Sequence, residues 1–143
     1  MKRFSKLATQ GVTLLEIMLV LAIAAMIIVM SVRYYQSASQ NQQANAFIEQ
    51  VQGIAATVES YAQGAGGYTN ASQAAITPLL PNNAFVAPWG GTMSLTATTT
   101  GFSLAINPGC SPAVGSLVQV RLQSDKRFTV SATCTSVAYN ATT

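Results

Sequence analysis

From Leu14 to Val32 the chain is apolar at every position except Glu16 and Ser31, and residues 17–30 (IMLVLAIAAMIIVM) carry no polar side chain. Nineteen residues at ~1.5 Å each give about 28 Å of helix, close to the hydrocarbon thickness of a bilayer. No proline or glycine occurs from Val12 to Gln52, so the helix should continue past this segment. Its character then changes. Apolar residues recur at Ala44, Phe47, Ile48, Val51, Ile54, Ala55, Val58, Tyr61 and Ala62, in the alternating steps of four and three that make one stripe on a helix. Such a stripe fits packing on the protein's own sheet better than a free coiled coil. Gly64, Gly66 and Gly67 should end the helix. A helix of about fifty residues would span roughly 75 Å, far beyond the globular average.

After the helix the pattern shortens. Residues 64–91 read as a connecting loop with Pro78, Pro81 and Pro88, and one short helical turn around Ala74. Period-two alternation over 93–97, 102–106 and 128–132 predicts three strands, with Gly101 in the turn between the first two. Residues 111–122 fit both periods. Val118, Val120 and Leu122 alternate as in a strand, whereas Val114, Leu117, Val118, Arg121 and Leu122 follow helical spacing. Ser111 before Pro112 is a fitting helix start, and the helix is the preferred reading. The expected fold class is therefore α+β, with one long N-terminal helix on a small antiparallel sheet.

Composition narrows the function classes. The 143 residues suffice for one small domain. There is no histidine, and the four acids, Glu16, Glu49, Glu59 and Asp125, share no local motif. A metal cluster or a paired-carboxylate site has almost nothing to be built from. No phosphate-binding glycine loop or nucleophile elbow is present, so neither catalysis nor a cofactor is expected. The formal charge of +3 is uneven, because Lys2, Arg3 and Lys6 all precede the apolar run. Beyond residue 11 four basic and four acidic side chains remain, a near-neutral balance that favours association. Arg121, Lys126 and Arg127 are too few for a nucleic-acid footprint.

The basic residues ahead of the apolar run place the N-terminus in the cytoplasm and predict export of the remainder. Arg33, Tyr34 and Tyr35 stand where snorkelling and amphipathic aromatic groups are expected. The run itself admits three readings: a plain anchor, a signal peptide cut near Ser37-Ala38-Ser39, or a membrane helix that stays on the mature chain behind a short leader. Glu16 distinguishes them. A carboxylate at mid-bilayer costs about 2.5–3.5 kcal/mol, and less near the interface, and neither an anchor nor a signal peptide has a use for it.

Gly11-Val12-Thr13-Leu14-Leu15-Glu16, followed at once by an apolar run and preceded by a basic leader, resembles the prepilin peptidase signature of type IV pilins and pseudopilins. The resemblance implies a leader over 1–11, cleavage between Gly11 and Val12, methylation of the Val12 amine, and Glu16 as the carboxylate used in filament assembly. It implies a helix over 12–63 with its membrane segment near 14–32, and a C-terminal domain over 64–143, in a type IV pilin fold. Tyr34-Tyr35-Gln36-Ser37-Ala38-Ser39 and Pro88-Trp89-Gly90-Gly91 are similar to stretches of type IVb, bundle-forming subunits. The match covers residues 2–40 and weakens beyond them.

Cys110 and Cys134, the only cysteines, both fall in the exported part. Two free thiols in an oxidising compartment would be a liability, so a disulfide is expected. The family resembles this arrangement, with a disulfide bounding a C-terminal region, here 110–134. The expected function is a structural subunit that forms a homo-oligomeric helical filament. It would be handled by prepilin peptidase, an inner-membrane platform protein and an assembly ATPase, residing in the inner membrane as precursor and then in an extracellular filament. The alternatives are a type II secretion pseudopilin or a minor pilin and, from another class, an exported binding module released by signal peptidase. Asp125 alone cannot form the calcium loop of a major pseudopilin.

Overall fold

The computed structural model describes residues 13–142. Helix α1 runs over Leu14–Ala65, and the chain divides into two compact units at Ser37/Ala38, within that helix. In the first unit every large apolar side chain of the helix from Leu14 to Val32 is exposed.

The second unit is the folded domain. Here α1 turns Ala44, Phe47, Val51, Ile54, Ala55, Val58 and Ala62 inward, and all are buried; this is the stripe the periodicity predicts. The helix ends two residues beyond the expected point. Gly66 takes a left-handed φ of 79°, and the Gly67 N–H donates to the Ala62 carbonyl at 2.9 Å. That six-to-one bond is the Schellman closure, for which glycine carries no Cβ penalty.

The segment expected as loop holds more regular turns than the pattern indicated. A 3-10 turn spans Tyr68–Asn70, α2 spans Gln73–Ile76 with Ser72 as its cap, and a second 3-10 turn covers Thr77–Leu79. Strands β1 (Thr92–Ala97) and β2 (Gly101–Asn107) follow as an antiparallel pair, with Leu95 opposite Leu104. The Asn107–Pro108 peptide bond is cis.

Residues 112–122 form helix α3 (Pro112–Leu122), with Pro112 in its first turn. The exposure of Val120, 76%, against full burial of Val118 decides between the two periods, since a strand would put both on one face. Strand β3 is shorter than expected, Phe128–Val130, and a fourth strand, β4 (Ser136–Asn140), was not foreseen. The sheet order is β1-β2-β4-β3, all antiparallel, so β4 is central although it comes last. One core joins the α1 stripe to Leu95, Phe102, Leu104, Ile106, Phe128, Val137 and Tyr139, with α3 contributing Val114, Val118 and Leu122.

Candidate functional site

The first candidate is the start of α1. Gly11 and Val12, the residues of the expected scissile bond, lie outside the described residues. Glu16 lies in the first helical turn and is exposed. Thr13 stands at the N-cap. Its carbonyl accepts from the N–H of Glu16 at 3.0 Å and of Ile17 at 3.2 Å, and its hydroxyl lies 3.3 Å from the Glu16 N–H. Thr13-Leu14-Leu15-Glu16 therefore has the order of a capping box, threonine at N-cap and glutamate at N3. The signal was local and readable, yet the sequence reading gave Thr13 no role. An acidic N3 residue also complements the positive end of the helix dipole.

Beyond Glu16 every large apolar side chain up to Val32 is about half exposed or more, from Ile17 at 49% to Met30 at 69%. Covering any one of them completely is worth about 1.5–3 kcal/mol, and a contiguous patch of this size marks a membrane or protein contact. The helix is long and apolar enough to cross a membrane. Ser31, the polar interruption at its far end, donates its hydroxyl to the Ile27 carbonyl at 2.8 Å, so it brings no unsatisfied donor into the apolar surface. Tyr34 and Tyr35 follow, 79% and 74% exposed.

The second candidate is the disulfide region. Cys110 and Cys134 are bonded, with Cα atoms 5.3 Å apart, and both are buried. The bond ties the entry to α3 to the turn before β4, and the Cys110 N–H donates to the Thr133 carbonyl at 2.8 Å. Gly115 on α3 lies against this turn so closely that a Cβ would run into the Ala132 carbonyl oxygen and sit 3.2 Å from the Cys110 sulfur. On its other side α3 is tied to α1, where the Arg121 guanidinium donates to the side-chain oxygens of Asn45 and Asn41. In the sequence Arg121 counts only as one of three basic residues too few for a nucleic-acid footprint; its partners are 76 and 80 residues away.

A third cluster joins α1 to the end of the chain. Arg127 makes an ion pair with Asp125 at 3.2 Å and donates to the Tyr139 hydroxyl at 3.2 Å, which in turn donates to Glu59 of α1 at 3.4 Å. The Arg127 hydrogen bonds hold the Asp125 carboxyl below its ordinary value. Burial, then the nearby Glu59 charge, pushes the Tyr139 phenol up. These groups act as a clasp between helix and sheet.

The sheet edges matter for any assembly. At the β1 edge the Met93 N–H donates to the Phe85 carbonyl at 2.8 Å, and the Leu95 N–H donates to the Gln73 side chain at 3.0 Å. At the β3 edge the Phe128 N–H is taken by the Asp125 carbonyl, and the Val130 carbonyl accepts from the Gln123 side chain at 3.4 Å. Both edges are thus blunted against strand addition. No family model matches the chain, and no curated protein or solved structure matches it either.

Proposed function

We propose that the chain is a type IV pilin, a structural subunit that is anchored in the inner membrane by the apolar part of α1 and then polymerises through it into a surface filament. The observation that carries this reading is the exposed apolar surface from Leu14 to Val32 with a single carboxylate, Glu16, in its first turn. A bilayer accounts for the apolar surface but leaves the carboxylate as a cost. A bundle of such helices accounts for both, because a neighbour's N-terminal amine can meet the acid. The blunted sheet edges support the same route, since they leave the helix as the surface available for polymerisation.

On this reading prepilin peptidase cuts between Gly11 and Val12, the new amine is methylated, and the platform protein and assembly ATPase drive subunits from the membrane into the filament. In this scheme the chain is the peptidase's substrate and the filament's building block, not a catalyst. Intact-mass and N-terminal analysis of filaments sheared from the cell surface tests this. The expected result is a chain beginning with methylated Val12. A secreted protein beginning at Gln40 would overturn the proposal and leave an exported module cut by signal peptidase.

A further inference from the structure

The sheet has a second face, turned away from the core, and it is uniform. Strand register aligns Thr96, Ser103, Ala138 and Thr129 in one row, and Ser94, Ala105 and Ser136 in the next. These positions alternate with the buried ones and are exposed or half-exposed. On the four strands this face carries nothing charged and nothing larger than asparagine. With strands ~4.8 Å apart it is about 14 Å wide.

At one end the face deepens into a cleft of about 270 Å³, lined by Thr98, Thr100, Ser103, Thr129, Lys126 and Arg127. Arg127 is engaged by Asp125. Lys126 is exposed and has no ion-pair partner among the described residues. The cleft therefore combines hydroxyls, which both donate and accept hydrogen bonds, with one uncompensated cation.

We propose that this cleft and the adjoining hydroxyl face bind an acidic polysaccharide, with Lys126 meeting a uronate carboxylate and the threonine and serine hydroxyls meeting the sugar hydroxyls. Charge complementarity selects an anionic ligand, and the paving of short hydroxyl side chains selects a hydroxyl-rich one. A nucleic acid fits less well. It presents closely spaced phosphates that call for several cations, and single strands bind on exposed aromatic rings, whereas Phe102 and Tyr139 in this cleft are buried. A lipid surface would call for exposed apolar side chains, and the face offers only alanine. The inference stands on the second unit alone and is independent of filament formation.

The test uses the full-length protein in detergent micelles, titrated calorimetrically with hexagalacturonate, with neutral maltohexaose and with a short single-stranded oligonucleotide. Saturable binding of hexagalacturonate that weakens with added salt is expected, with little or none for maltohexaose and weaker binding of the oligonucleotide. Lys126→Ala should weaken hexagalacturonate binding about two- to fivefold, as for an exposed charge pair. The double variant Ser103→Ala/Thr129→Val should weaken it about fivefold or more through lost hydrogen bonds. Both should keep the parental melting temperature. Equal binding of maltohexaose, tighter binding of the oligonucleotide, no binding of hexagalacturonate, or unchanged affinity in both variants would each overturn the proposal.

Discussion

Gly115 occupies a helical position where alanine would ordinarily stabilise by about 1 kcal/mol. Here the Ala132 carbonyl fills the space of a Cβ, so α3 can accept a methyl group only by moving off the turn that Cys134 closes. Gly115→Ala should therefore destabilise the protein by about 1–3 kcal/mol, read as a lower melting temperature of the detergent-solubilised chain. A rise would mean that α3 shifts freely. Asp125 offers a second single-residue test. Its carboxyl is held below the ordinary 3.8 by hydrogen bonds from Arg127, so the folded chain binds that proton less readily than the unfolded one. Its contribution is complete above that value and disappears as pH falls through the lowered one. Asp125→Asn should melt below the parent near about pH 6, and the gap should close only as pH falls below the ordinary carboxylate range and through the lowered value. Both side chains of the pair are about 40% exposed, at 43% and 42%, so the effect is small and should shrink in salt.

At the scale of elements, what the sequence made legible was whatever is written in local period. The α1 stripe, its glycine stop and the first hairpin all depend on residues within a few positions of one another, whereas residues 111–122 fit both periods and only the Ser111-Pro112 start favoured α3. Strand β4 was not legible because Ser136-Val137-Ala138-Tyr139-Asn140 offers only two large apolar residues. Its central place between β2 and β3 is set by pairing with residues 31–39 positions earlier on β2, as in Ala105 with Ser136 and Gly101 with Asn140. The Arg121–Asn45 and Tyr139–Glu59 contacts escaped for the same reason, being long-range in sequence. Gln73 shows how such a contact protects an element. Its side-chain oxygen accepts the outward Leu95 N–H that an incoming strand would otherwise take. Gln73→Ala should leave the fold intact but expose that donor. The expected outcomes are faster amide exchange at Leu95 and more concentration-dependent aggregation with β-sheet signature; unchanged exchange would show that the Phe85 contact alone guards the edge.

For the whole molecule the two expected site groups do different work. The disulfide closes a loop of 23 residues between bonded positions 24 apart, a constraint worth about 3.5 kcal/mol in the chain-entropy model. In a domain this small that is a large share of the total. Cys134→Ser should lower subunit abundance by destabilisation, while any filaments that form should keep their register. Glu16 should act in the opposite way, with no effect on the folded domain and a large one on assembly. Its place at N3 of a helix capped by Thr13 gives it a competing local role, and the proposed filament gives it a charge-pairing role with a neighbour's Val12 amine. A charge pair buried among apolar helices gains most as a register device, because any other stagger leaves an acid and an amine unpaired. The two roles separate by substitution. Glutamine keeps a side chain that a capping box accepts at N3 and loses the charge, whereas alanine loses both, and the backbone bond from the Glu16 N–H to the Thr13 hydroxyl survives in each. Glu16→Ala and Glu16→Gln should both be cleaved at Gly11 and retained in the membrane, and both should fail to assemble, as judged by sheared-filament yield and N-terminal analysis. Normal filaments from Glu16→Gln alone would assign the residue to capping. Loss of cleavage in both would assign it to recognition by the peptidase.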